Sequence, residues 1–154
     1  MLRTVVSLVL AISCVSAQAV ASDEQTVKDT LSAYEDAWSR HDPDAVASFY
    51  YEPALRVSKG GPNVRPTRTE QKAFFAGFLP SLIERGYSDS AWESLEVRLL
   101  DDQTARASGV IVRHRADDTV LERAAVTYAL RSTPDGWKIF MSATHAPGSV
   151  LHFR

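Results

Sequence analysis

Two histidines in the second half of the chain are the side chains best suited to acid–base chemistry near neutral pH. His114 and His145 stand at the ends of strand-like segments that tight turns connect. A four-residue loop at 116–119, between the strand-like segments 104–115 and 120–132, would pair His114 with Leu121. A loop at 132–136 would set Arg123 opposite His145, so both imidazoles and the guanidinium would share one face and suit an anionic ligand. A one-residue shift moves either histidine to the other face, and the plain alternative is two solvated strand-end histidines.

Two aromatic residues and an arginine extend this set of candidate site residues. Tyr34 and Trp38 lie one helical turn apart, where they would form either a cavity wall with a hydrogen-bonding phenol or an ordinary core pair. Arg56 would either anchor a ligand or point into solvent. The polar, glycine-rich stretch 58–68 beside it would either cradle an anion or cover the cavity, or be only a flexible connection.

Other chemistries find little support. Asp42 is explained as a helix cap, and the histidines show no close ligand spacing, so we expect no metal site. No nucleophile elbow, phosphate loop or dinucleotide fingerprint occurs, which leaves no support for nucleophilic catalysis or nucleotide binding. The 17 basic and 19 acidic residues give a net charge of -2, and no basic stripe indicates nucleic-acid binding.

The first residues are typical of a secretory signal peptide. Arg3 precedes an apolar run at 5–15, and small residues at Ala19 and Ala21 predict cleavage after Ala21. Cys14, in "LAISC", offers the alternative of a lipoprotein anchor. It is the only cysteine, so a mature chain of 22–154 would have no disulfide, catalytic thiolate or cysteine-bound zinc. We therefore expect a periplasmic or secreted bacterial protein, without a membrane span because the apolar run is short.

The segments that must position these side chains change from helical to extended period along the chain. Apolar residues at helical spacing predict a first helix over 23–40, capped by Ser22 or Asp23. Asp42 before Pro43 predicts a short second helix, and a third follows residue 67 or 69, kinked or broken by Pro80. A short strand at 55–58 precedes four strand-like segments at 91–100, 104–115, 120–132 and 137–145. The mature chain is therefore predicted to be one α+β domain with three helices on a curved, mostly antiparallel sheet.

This order of elements, with particular residues, resembles the nuclear-transport-factor-2-like, or SnoaL-like, superfamily. The residues that carry the resemblance are the helical stretch "AYEDAWSRHDPDAVASFY" and the turn Asp135, Gly136, Trp137, Lys138 and Ile139, and the likeness extends over about 24–145. It implies a cone-shaped fold with a pocket between the first helix and the concave sheet. Members include isomerases, dehydratases, cyclases and non-catalytic assembly domains, so the resemblance predicts the fold better than the function.

The enzymatic branches of the superfamily match only in part. In the ketosteroid-isomerase branch a first-helix tyrosine donates to the substrate, and Tyr34 falls at that position. Ser58 falls where that branch has its carboxylate base, and Thr127 or Tyr128 where it has a protonated aspartate, so steroid isomerase chemistry is rejected. The scytalone-dehydratase branch needs paired histidines with an aspartate, and no carboxylate is clearly placed beside His114 and His145.

Three functions remain open. The leading expectation is an exported, cofactor-free protein that binds a small apolar or weakly anionic molecule, with a pocket lined by Tyr34, Trp38, Tyr50, Arg56, His114 and Tyr128. One alternative is a cofactor-independent isomerase, dehydratase or cyclase that uses His114 or His145 with Tyr34 as hydrogen-bond donor. The other is a structural module. Val110, Ile111 and Val112 require cover on both faces of the sheet, so a homodimer is expected in each case.

Overall fold

A computed structural model describes the backbone of residues 12–153 and the side chains of residues 23–153. The predicted signal peptide lies largely outside these residues, and the Cys14 side chain lies outside them as well. Cleavage after Ala21 and the alternative of a lipoprotein anchor at Cys14 therefore remain predictions. The described elements are α1 (Ile12–Ser39), α2 (Pro43–Ser48), β1 (Tyr50–Ser58), β2 (Gly61–Arg65), α3 (Arg68–Glu84), β3 (Asp89–Leu99), β4 (Thr104–His114), β5 (Val120–Thr133), β6 (Gly136–His145) and a short 3-10 helix, η1 (Pro147–Ser149).

The first helix presents the face that its apolar spacing predicts. Val27 and Leu31 are fully buried, and Tyr34 and Trp38 continue the same stripe towards the carboxyl end of α1. The predicted start at Ser22 or Asp23 is wrong for this chain, because α1 already begins at Ile12 and the helical backbone continues through both residues.

The two shorter helices begin at the residues that capping chemistry predicts. The Asp42 side chain accepts hydrogen bonds from the backbone N–H groups of residues 44 and 45 at the start of α2. Thr67 and Glu70 form a capping box at the start of α3. Pro80 does not break α3, because it lies on the exposed side between the buried Leu79 and Leu82, whose packing holds the helix.

The six strands form one sheet in the order β2-β1-β6-β5-β4-β3. Neighbours are antiparallel except β1 and β6, which run parallel. Three hairpins join β3 to β6 in sequence, so the four predicted long strands are confirmed within two residues at each end. The helices cover one face of the sheet, and that face holds the core. The predicted α+β class with three helices on a curved, mostly antiparallel sheet is thereby confirmed.

The stretch expected to be an irregular loop contains a strand. The chain turns at Lys59 and Gly60. Gly61, with a φ of +93°, begins β2, which pairs with β1 from Ser58↔Gly61 to Ala54↔Arg65. Residues 62–64 are exposed and lack an alternating apolar pattern, so no strand is predicted there from the sequence. The stretch forms a regular hairpin and places Arg65 beside β1.

The convex face of the sheet is partly covered by the end of the chain. The backbone N–H of Leu151 donates to Ser108 Oγ at 3.2 Å, and that of Phe153 donates to Glu96 at 3.0 Å. The guanidinium of Arg106 lies 4.1 Å from the centre of the Phe153 ring. Among the described residues, no helix has the length and apolarity needed to cross a membrane.

Candidate functional site

A cavity of about 310 Å³ opens between α1, α3 and the concave face of the sheet. This is near the lower end of the roughly 300–1,000 Å³ found for small-molecule pockets. Its walls combine aromatic rings with polar side chains from both layers: Tyr34, Glu35, Trp38, Tyr50, Arg56, Phe75, Phe78, Ile111, Arg113, Glu122, Arg123, Ala124, Val126, Tyr128, Ser142 and Thr144.

Three buried phenols meet at one end of this cavity. The hydroxyls of Tyr34 and Tyr50 are 3.0 Å apart and share a hydrogen bond. The Tyr34 ring also meets the Tyr128 ring edge to face, with centroids 6.0 Å apart. Burial raises the pKa of all three phenols above the usual value. The phenols therefore remain protonated at neutral pH. One of Tyr34 and Tyr50 donates its O–H to the other, and the acceptor of that bond keeps its own O–H for a ligand.

A set of aromatic rings packed edge to face continues the wall beside the phenols. The Trp38 ring lies 5.3 Å from that of Phe75 and 6.1 Å from that of Phe78, centroid to centroid. Trp38 is 7% exposed and Phe75 is 3% exposed, so water has little access to this side. Such a wall favours a flat, apolar ligand.

A carboxylic acid lies beside the phenols. Glu35 is only 4% exposed, and its Oε1 is buried with no hydrogen-bond partner among the described residues. Burial raises its pKa from 4.5 to about 8, although the positive charge of Arg113 and a hydrogen bond with Ser90 oppose the shift. Glu35 is thus mostly a neutral acid at pH 7, close to the pH at which it could exchange a proton.

The positive group that lowers the pKa of this acid is Arg113 of β4, which is itself ion-paired. Its guanidinium pairs with Glu122, which also pairs with Arg85 at the end of α3. The same guanidinium lies 5.9 Å from the centre of a Trp38 ring. Arg113 therefore helps to hold helix and sheet together, and it shares the carboxylate of Glu122 with Arg85.

The predicted site residues fall into two groups. Tyr34, Trp38, Tyr50, Arg56 and Tyr128 all lie on the cavity wall. That they bind a ligand stays a prediction. His114 does not lie on this wall, and its place in the predicted pocket is corrected by the register. It pairs with Val120 rather than Leu121, and β4 turns it to the convex face with Val112.

Both histidines proposed as catalytic candidates lie on that convex face. His114 Nδ1 is 2.9 Å from Asp89 Oδ1, so a carboxylate does stand beside it, although outside the cavity. His145 pairs with Ala125 and not with Arg123, and its Nε2 is 2.9 Å from Thr127 Oγ1. The expected cluster of two imidazoles and the Arg123 guanidinium is not formed, because Arg123 Nε pairs with Glu93 at 2.6 Å.

Sequence reasoning missed the acid because it followed only the apolar residues of the first helix. Glu35 stands four residues after Leu31 and three before Trp38, so it belongs to the same buried face. An acidic residue at the helical spacing of a buried face indicates a buried acid, and Glu35 could have been found in this way. Within the described residues, no cluster of three or more histidine, cysteine or acidic side chains could hold a metal ion.

Comparisons with known proteins agree with this architecture. Residues 23–147 match the model of a family described as NTF2-like protein (DUF6841). No curated protein matches the chain. A solved NTF2-like protein with a cystatin-like fold from Novosphingobium aromaticivorans is 18% identical, with 94% of this chain and 99% of that chain covered and a TM-score of 0.73.

Two further solved structures show the same fold at similar identity. An NTF2-like protein of unknown function from Shewanella oneidensis is 23% identical, with 78% of this chain and 96% of that one covered and a TM-score of 0.63. A proposed dehydratase of the NTF2-like family from Streptomyces avermitilis is 18% identical, with 80% and 95% covered and a TM-score of 0.62. At these identities the likeness shows the fold alone.

Proposed function

Since the chain belongs to the NTF2-like family DUF6841, whose wider superfamily includes small-molecule-binding and isomerase- or dehydratase-type proteins, we propose that it binds a small molecule in the cavity between α1 and the concave sheet. The proposal needs no cofactor. The observation that carries it is the cavity of about 310 Å³ with three buried phenols at one end. Close-packed interiors leave few voids larger than a water molecule, so a space of this size supports binding.

The ligand proposed from these walls has a flat apolar body with one polar group. The rings of Trp38, Phe75 and Phe78 would cover the body, and the hydroxyls of Tyr34 and Tyr50 would meet the polar group. A molecule of one or two rings suits a cavity near the small end of the usual range. This is the small apolar or weakly anionic molecule that the sequence predicts.

The binding proposal is tested by filling the cavity from the sheet side. Ala124 of β5 lines the cavity, and Ala129 of the same strand, whose alternate position puts it on the opposite face, does not. Ligand-observed NMR with a panel of aromatic fragments should detect binders of the native protein and of Ala129→Phe. Ala124→Phe should lose them while keeping its circular dichroism spectrum. Equal binding by Ala124→Phe and the native protein would contradict the cavity as the site.

A second candidate function follows from Glu35. A cofactor-independent isomerase or dehydratase needs a group that gives or takes a proton in a dry site, and a buried acid with a pKa of about 8 meets this need. Glu35 replaces His114 and His145 in this candidate, because both histidines lie outside the cavity. Tyr34 keeps its role as the hydrogen-bond donor beside the reacting atoms.

The enzymatic candidate is tested by proton exchange. A bound fragment with an acidic C–H next to a carbonyl should take up deuterium from heavy water when the native protein is present. Glu35→Gln should bind that fragment and fail to catalyse the exchange. Exchange at the native rate in Glu35→Gln would exclude Glu35 as the base and leave the binding proposal intact.

Export and homodimerisation are proposals of their own. Export to the periplasm or outside the cell is supported by residues 1–21, and mass spectrometry of the secreted chain should find Ser22 as its first residue. A lipidated Cys14 would contradict that cleavage site.

The homodimer was expected because the strand β4 has apolar residues on both faces. Val112 is only 7% exposed in the single chain, so this residue is covered without a partner subunit. Sedimentation velocity on the native protein would decide between monomer and dimer.

A further inference from the structure

Two arginines from neighbouring strands converge on one aromatic ring at the edge of the cavity. The guanidinium of Arg56, from β1, lies 4.9 Å from the centre of the Phe74 ring. That of Arg65, from β2, lies 3.7 Å from the same centre. The β1–β2 hairpin brings them together, because Arg65 pairs with Ala54, two residues before Arg56. Arg56 also forms part of the cavity wall.

Neither of these two guanidiniums has a counter-charge among the described residues. Within residues 23–153, the side chains of Arg56 and Arg65 form no ion pair and no hydrogen bond, whereas those of Arg113 and Arg123 both pair with glutamates. Burial, followed by the positive charge of Arg56, lowers the pKa of Arg65 below its usual value. Two like charges without a partner repel each other, and an anion bound to Arg56 would reduce that repulsion.

The other ionisable groups of the cavity do not supply that anion. Glu35 is mostly neutral at pH 7 because its pKa is about 8. Glu122 is shared between Arg85 and Arg113, so its negative charge is already balanced. The cavity therefore carries an excess of positive charge at the end where Arg56 lies.

We propose that Arg56, supported by Arg65, forms an anion-binding subsite of the cavity, and that the ligand is an apolar molecule with one carboxylate or similar small oxyanion. Guanidinium groups bind such anions through charge-assisted hydrogen bonds, and a partly desolvated setting strengthens them. Arg56 contacts the anion directly. Arg65, which does not line the cavity, contributes through its charge and through its packing on Phe74. The inference rests on the proposed function, since it names the ligand class of the same cavity.

The test compares two probes of similar shape, of which one carries a negative charge and the other is neutral. 2-Naphthoate and 2-naphthamide share one ring system, and calorimetry would measure the affinity of each at pH 7. The native protein should bind the carboxylate about tenfold or more tightly than the amide, which is the size expected for one charge-assisted contact. Arg56→Met should abolish this preference, and Arg65→Met should reduce it by a smaller factor.

The matched control is Arg106→Met. Arg106 also lies over an aromatic ring, that of Phe153, but on the convex face, so its loss should leave the preference unchanged. Equal affinity of the native protein for both probes, or an unchanged preference in Arg56→Met, would overturn the anion subsite while the cavity still binds. Binding of neither probe, together with an empty fragment panel, would overturn the subsite and the proposed function together.

Discussion

Two titratable groups on the concave side of the sheet lack a charge partner among the described residues, whereas two histidines on the convex face contact carboxylates. Glu35 has an unpartnered oxygen, and Arg56 has no counter-charge among the described residues. Across the sheet, His114 lies 2.9 Å from an Asp89 oxygen, and His152 lies 2.7 Å from a Glu96 oxygen. Buried polar groups in folded proteins normally have hydrogen-bond partners. Groups that lack partners therefore indicate the face where a ligand would supply them.

This comparison also explains why residue type alone was a poor guide to the site. Histidine has the pKa best suited to proton transfer, yet here histidines lie where partners on the same face already hold them. A glutamate, whose usual pKa is far from neutral, reaches the useful range because burial penalises its charge. The environment, set by the fold, decides which group can do chemistry.

The largest effect is expected at Gly109, where the backbone of β3 comes closest to β4. A Cβ on Gly109 of β4 would stand 2.1 Å from the backbone oxygen of Ser94 and 3.0 Å from the Trp92 ring. Because backbone cannot move aside cheaply, Gly109→Ala should fail to fold or lose more than about 4 kcal/mol of unfolding free energy. Urea unfolding would measure the loss.

Gly77→Ala is the control for that substitution. Gly77 lies on the exposed side of α3 with open space around it, so an alanine there should stabilise the chain by about 0.5–1 kcal/mol. A Gly109→Ala protein as stable as the native one would show that β3 and β4 do not approach as closely as described.

The next effect is the pH dependence of stability that the buried acid Glu35 should cause. Glu35 keeps its proton up to about pH 8 in the folded chain but loses it near 4.5 when unfolded. The folded state therefore binds more protons between these values, and the free energy of unfolding falls as pH rises from about 4.5 to 8. Glu35→Gln removes this loss, so its stability relative to the native protein should rise across that window by on the order of 3 kcal/mol. Chemical unfolding at several pH values would measure it.

A stability difference between Glu35→Gln and the native protein that stays constant from pH 4.5 to 8.5 would contradict this account of Glu35. Asp36→Asn offers the comparison on the same helix, since Asp36 is exposed. It should show no pH-dependent gain of similar size.

A smaller effect is expected from the phenols. Tyr34→Phe removes one partner of the 3.0 Å hydrogen bond to Tyr50 but keeps the ring. The expected cost is about 1 kcal/mol of stability, with weaker binding of any ligand that accepts a hydrogen bond from Tyr34. Thermal unfolding and calorimetry with the best fragment would measure the two effects. Unchanged affinity would remove Tyr34 from the proposed site.

The smallest effect is expected on the convex face. His114→Ala removes the contact with Asp89 near the start of β3, which should cost less than about 1 kcal/mol of stability. Ligand affinity should not change, because His114 does not line the cavity. A large loss of affinity in His114→Ala, with stability preserved, would return the histidines to the functional site.

Much of the fold could be predicted because local chemistry specifies it. Asp42 and Thr67 mark helix starts through hydrogen bonds within three residues, and turn residues mark the ends of the long strands. The strand β2 was not predicted, because residues 62–64 are exposed and carry no alternating apolar pattern. Its pairing depends on β1 and on the turn before Gly61, which a local pattern does not reveal.

The site was harder to predict because it depends on register between strands distant in sequence. An extra residue in β5 between the partners of Arg113 and His114 shifts the pairing, so the assumed alignment of His114 with Leu121 fails. The aromatic wall could be predicted without knowledge of the strand register, since Tyr34 and Trp38 share one helix face at fixed spacing. Glu35 has the same fixed spacing and could have been found on that basis.

The most direct test of the cavity as the functional site is native mass spectrometry of the protein isolated from its own source. Native protein, His114→Ala and Ala124→Phe would be compared under identical conditions. If the cavity is the site, the native protein and His114→Ala should each retain one small molecule, and Ala124→Phe should retain none. A molecule retained by Ala124→Phe but lost from His114→Ala would contradict the account and place the site on the convex face.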